Sequence, residues 1–164
     1  MVIVQTEQLP PGVLSRSVVA VNFDPNPSLL VGMGDGSVIS YSFSWNGSAV
    51  SSFVQTNKFS IGAQAVQLCP FQSKDSVHVF ACCDRPAVFY GQSGKIMYSN
   101  VGMKDIHHMC SFRCANCNGI RCCNFPFHAH RSAVDFPGCL AMASPSTLTI
   151  GLIDEVQRLH VRNP

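Results

Sequence analysis

The sequence predicts an all-β chain, a partial β-propeller of about three four-stranded blades, and three observations lead there. Apolar residues make up 46% of the 164 positions and charged ones only 12%, so most of the chain must be packed on more than one side. Several segments alternate large and small side chains with a period of two, the pattern of a strand. The same hairpin then recurs at a spacing of fifty to sixty residues.

The first clear strand is Val38-Ile39-Ser40-Tyr41-Ser42-Phe43, in which Ile39, Tyr41 and Phe43 share a face. Gly34-Asp35-Gly36 precedes it and supplies turn-forming residues, so the stretch reads as the second arm of a hairpin. Thr147-Leu148-Thr149-Ile150-Gly151-Leu152 repeats the pattern after Ser144-Pro145-Ser146. Val31 to Ala81 and Val38 to Val88 are both 50 positions apart, while Ala81 to Ala141, Val88 to Leu148, Gly91 to Gly151 and Val101 to Val161 are 60 apart. The second and third copies align over twenty positions without a gap. Ile153 to His160 has the charge order of a short helix, but its alignment with the stretch from Gly94 to Tyr98 favours a turn and a strand. Closed propellers need four to eight blades, so three copies are expected to form part of a larger ring. Residues 1–164 are thus expected to be one partial propeller.

The ten extra residues of the second interval fall between Val101 and Cys139. Residues 111–138 are accordingly read as a Cys-rich loop insertion in a connection between blades. The region contains Cys114, Cys117, Cys122 and His128 at a spacing that a tetrahedral zinc site tolerates, though Cys122-Cys123 leaves the third ligand ambiguous. An insertion with free thiols is the expectation, with no metal and no cofactor; a small zinc-binding module is the alternative. Cys110 or Cys139 as a nucleophile, with His107, His108 or His128 as base, would need an oxyanion pocket and an orienting group. Neither is visible in the sequence.

The 11 basic and 9 acidic residues are scattered, which argues against direct nucleic-acid binding. No membrane span or secretory signal is evident, and nine cysteines, an odd number, suggest reduced thiols. Gly34-Asp35-Gly36 lacks the lysine of a phosphate loop. His78 is expected to be a partly buried structural histidine. Asp84-Arg85-Pro86 should form a turn whose Asp84 and Arg85 are contact candidates, His107-His108 should lie at a strand end or loop, and Trp45 is expected in a loop, packed between blades.

The stretches "LPPGVLSRSVVAVNF", "LLVGMGDGSVISYSF", "VFACCDRPAVFYGQSGKIMYSNV" and "STLTIGLIDEVQRLHVRN" resemble, in this order, the later blades of the middle propeller in the family of the large damaged-DNA-binding subunit. These are three-propeller adaptors of cullin-4 ubiquitin ligases, with cousins in the splicing factor 3b and cleavage and polyadenylation complexes. The resemblance covers residues 11–110 and 139–163 and lapses over 111–138, where the family has a short loop. It implies a non-enzymatic scaffold in the nucleus and cytoplasm that docks a cullin and substrate receptors in ubiquitination and DNA repair. It also implies contact with nucleic acid only through partners, and neither membrane nor small-molecule substrate; a scaffold of an RNA-processing complex is the alternative.

Overall fold

The computed structural model describes residues 3, 5–23, 26–47, 49–73, 76–112, 139–153 and 159–161. Among the described residues there are twelve strands and no helix. The strands are β1 (Ser15–Phe23), β2 (Asn26–Met33), β3 (Ser37–Asn46), β4 (Ala49–Ser60), β5 (Gln67–Ser73), β6 (Ser76–Cys82), β7 (Ala87–Gln92), β8 (Lys95–Asn100), β9 (His108–Phe112), β10 (Cys139–Ala143), β11 (Leu148–Ile153) and β12 (Leu159–Val161). They form three antiparallel meanders, β1-β2-β3-β4, β5-β6-β7-β8 and β9-β10-β11-β12. Three four-stranded blades are therefore present, as the repeat predicted.

Contact between neighbouring sheets runs chiefly through their first strands, β1 against β5 and β5 against β9. That places the first strands at the crowded inner side and β4, β8 and β12 outside, the radial order of a propeller. The first two sheets bury side chains on both faces, the third on the face toward the second. In β6, Val79 and Ala81 join Leu30, Val38 and Phe89 between the first two sheets, whereas Phe80 and Cys82 join Leu140, Met142 and Val88 between the second and third. Full burial of each large apolar side chain contributes about 1.5–3 kcal/mol. The outer face of the first sheet, with Val31, Met33, Ile39 and Tyr41, is packed by Leu9 and Val13 of the N-terminal segment.

Hydrogen bonds repeat with the fold. The Ile61 N–H donates to the Gly36 carbonyl at 3.1 Å and that of Val66 to Met33 at 3.0 Å; one sheet later Val101 donates to Pro86 at 3.0 Å and Ile106 to Cys83 at 3.1 Å. Turn residues separated by 50 positions thus bind connections in the same way. Between the first two sheets, Ser17 Oγ donates to the Val66 carbonyl at 2.9 Å and accepts from the Leu68 N–H at 3.0 Å. A side chain on Gly32 would strike that hydroxyl. Ser17→Ala strands both backbone partners and is expected to cost about 1–2 kcal/mol, read as a lower urea midpoint.

Four sequence readings need correction. The second and third copies do not align without a gap. Ala81 faces the preceding sheet, yet in the third sheet Leu140 and Met142 do so, so β10 is displaced by one position relative to the 60-residue spacing. The reason is turn parity: β10 and β11 pair Ala143 with Leu148 across four residues, whereas Gly32 and Val38 enclose five, as do Ala81 and Ala87. One residue changes the face of every side chain that follows. The fourth strands are also offset, since Gly151 pairs with Val161 while Gly91 pairs with Ile96, not Val101. Ile153 and Leu159–Val161 are strand, as the turn-and-strand reading required.

Third, the insertion is not between blades. Ser111 and Phe112 belong to β9, which pairs directly with β10, so the intervening segment joins the first two strands of one sheet. Fourth, Trp45 lies on β3, is 55% exposed, and has its ring 6.4 Å from that of Phe43 instead of packing between sheets. The zinc candidates Cys114, Cys117, Cys122 and His128, together with Cys123, lie outside the described residues.

Candidate protein-docking surface

Gly34-Asp35-Gly36 is a hairpin turn. Asp35 Oδ1 accepts from the Ser37 N–H at 3.0 Å and the Ser37 hydroxyl at 2.6 Å, and these bonds, the hydroxyl first, hold its carboxyl below the ordinary range. Gly36 carries φ +83°, a conformation that β-carbons disfavour.

The corresponding turn in the second sheet contains Asp84, which binds two connections at once. Its carboxylate accepts from the Ala63 N–H at 3.0 and 3.2 Å and from Gln64 at 3.1 Å, while its carbonyl accepts from Asp105 at 3.2 Å. Partial burial acts to raise its pKa, but the amide bonds outweigh this and hold it below the usual carboxylate value. Asp84 is therefore occupied by its own chain, and the exposed Arg85 is the member of the pair turned to solvent. Asp84→Ala is expected to cost about 1–2 kcal/mol and Arg85→Ala under about 0.5 kcal/mol, compared by thermal melting.

Where the three sheets meet, a cavity of about 520 Å³ opens beside these connections. Val66, Leu68, Cys82 and Ile106 are its buried apolar floor, and Arg16, Gln64, Gln67, His107 and His108 are its exposed walls. The first sheet supplies Arg16, the second with its connection the two glutamines, and the third the histidines. His107 is fixed by its N–H donating to the Ala143 carbonyl at 2.9 Å, and His108 begins β9 opposite Ala143.

The predicted nucleophile candidates are strand residues. Cys110, exposed on β9, stands across from Ala141, and Cys139 lies on β10; His128 lies outside the described residues. No cluster of three or more metal-ligating side chains occurs among the described residues. The structure instead brings together Cys69 and Cys82, which local sequence gave no reason to connect. The Cys82 thiol donates to Cys69 and lowers the Cys69 pKa to about 7, while the shared bond and then burial push Cys82 up. His78 is buried, its ring between those of Phe71 and Tyr90 at centroid distances of 5.4 and 6.5 Å, and desolvation lowers its pKa to about 4. It is structural, as expected, and more deeply buried.

The arrangement is a surface of pinned turns and connections around a cavity. Comparison with known proteins assigns its lineage: residues 6–125 match the family model described as the RSE1/DDB1/CPSF1 second beta-propeller. The chain belongs to that propeller family. DNA damage-binding protein 1 of Solanum lycopersicum is 36% identical over 161 residues, covering 98% of this chain and 13% of the relative. DNA damage-binding protein 1a of Arabidopsis thaliana is 34% identical over 162 residues, covering 99% of this chain and 13% of the relative, and DNA damage-binding protein 1 of Drosophila melanogaster is 32% identical over 159, covering 97% and 12%. The chain thus spans about one eighth of the length of these relatives, and over that stretch it is similar to DNA damage-binding protein 1.

Proposed function

We propose that this chain is a non-catalytic docking scaffold, part of a cullin-4 ubiquitin ligase adaptor that holds the cullin and interchangeable substrate receptors. The observation that carries the reading is the pinning of the β2–β3 and β6–β7 turns to neighbouring connections, through Gly36 and Asp84, in a chain whose relatives are DNA damage-binding proteins. Such a surface needs little ordering when a partner arrives, so less of the contact energy is lost to entropy. Residence in the nucleus and cytoplasm, and contact with damaged DNA through partners, belong to the same proposal.

The test is titration of the purified chain, and of a longer form with its flanking blades, with the N-terminal region of a cullin-4 protein and with a substrate receptor. Saturable binding of either to the longer form, weakened by substitutions in the turns described here, supports the reading. Failure of both, together with capture of an RNA-processing subunit, would transfer the chain to the RNA-processing reading.

A further inference from the structure

The cavity at the meeting of the three sheets has a chemistry that the scaffold reading leaves unused. Its floor is apolar and built from the second sheet and its two connections: Val66, Leu68, Cys82 and Ile106. Arg16, His107 and His108 are among its exposed lining residues, and no Asp or Glu lines it among the described residues. The Asp84 carboxylate, next in sequence to the lining residue Cys83, is directed at the Ala63 and Gln64 amides. A volume of about 520 Å³ falls within the range of sites that bind small ligands or a few side chains.

We propose that this cavity docks an acidic peptide segment, whose carboxylates meet Arg16 and the histidine wall while an intervening apolar side chain enters the floor. This rests on the docking-scaffold reading and adds to it a place and a partner chemistry. Three features favour a peptide. Arg16 belongs to the first sheet while His107 and His108 stand at the start of the third, so polar side chains from two sheets line one cavity and an extended ligand can meet both. Gln64 and Gln67 add amide donors and acceptors that a peptide backbone can use. The floor is apolar, with Val66, Leu68, Cys82 and Ile106 all buried, and offers contact to an apolar side chain. Guanidinium and carboxylate form the strongest of the hydrogen-bonded pairs open to this surface, so Arg16 is the principal anchor.

The experiment is fluorescence anisotropy of the chain with a labelled ten-residue peptide of alternating Glu and Leu, and with its Gln-for-Glu counterpart. The acidic peptide should bind about tenfold more tightly, the worth of one charge-assisted contact. Arg16→Ala should remove most of that difference, Arg16→Lys should retain part of it, and raising the salt should reduce it. Ala65→Trp, at an exposed position on the rim, should block both peptides without changing the circular dichroism spectrum. Equal binding of the two peptides, or an acidic preference untouched by Arg16→Ala in a variant that melts like the parent, overturns the proposal. If the acidic preference fails while cullin binding holds, only this inference falls; if cullin binding fails while the preference holds, only the proposed function does.

Discussion

Between pH 7 and pH 4 the folded chain is expected to lose about 3 kcal/mol of stability through His78, and His78→Leu is expected to abolish that loss. The imidazole is 6% exposed, lies between Phe71 and Tyr90, and faces the same side of its strand as Phe80 and Cys82. Placing a proton there puts a charge among rings and apolar side chains, which lowers the pKa from 6.5 to about 4. In the unfolded chain the same imidazole titrates near the ordinary value. From pH 6.5 down to about 4 the unfolded state therefore binds the proton and the folded state does not, so stability falls as pH falls across that window. The difference of about 2.5 pKa units corresponds to about 3 kcal/mol. Asp35 and Asp84 have lowered pKa values, so the stability they provide is present above the ordinary carboxylate value near pH 4 and is lost below it. The intermediate window is left to His78. Urea midpoints at pH 7.0, 5.5 and 4.0 are the measurement; a flat profile in the parent, or an equal slope in His78→Leu, would show that the ring is solvated.

The strands were legible because they are local. Ile39 and Tyr41 alternate with small serines, and Ile39 and Tyr41 are buried at 0% and 2% exposure; the glycines of 34–36 mark the turn where it occurs. The 50-residue spacing was legible for the same reason: the turn at Gly36 and the turn at Pro86 make the same backbone bond. What escaped was set by single residues or by distant ones. A change of one residue in the third turn inverts the alternation of β10 relative to the copy before it, and an apolar run such as Leu140-Ala141-Met142-Ala143 reads equally well in either phase. The pairing of β9 with β10 across the cysteine-rich stretch joins positions 27 apart or more, which a search for loops between repeats assigns to the wrong junction. Ser17, an ordinary serine in sequence, joins two sheets only because Val66 and Leu68 reach it. The docking cavity draws its walls from three sheets and contains no motif. Local alternation fixes which residues face a core; it does not say which core, and the candidate site lies where cores meet.

Gly36→Ala is expected to be the most damaging small substitution in the first sheet, lowering stability by about 3 kcal/mol or more. Two costs combine. At φ +83° an alanine sits in a backbone region that its β-carbon disfavours, at about 1 kcal/mol. The same β-carbon would also be driven into the carbonyl of Gly62 and the amide of Ala63. Those are backbone atoms, so no side chain can rotate out of the way. The connection is also held from both sides. Ile61 and Gly62 donate to the Gly36 carbonyl at 3.1 and 3.2 Å, and the Ala63 N–H is bound to Asp84. Retreat from the new methyl would break these bonds and pull Ile61 and Val66 from the core between the first two sheets, a loss in the range of other overpacked sites. Gly94 separates the two costs: its φ is +74° and nothing lies within 4 Å of where a β-carbon would stand, so Gly94→Ala should cost only the conformational part. Chemical denaturation of the two variants beside the parent reads the difference directly. Similar losses at both positions would mean that the connection yields freely, and that the close packing of turn against connection, on which the rigidity of the docking surface depends, contributes little.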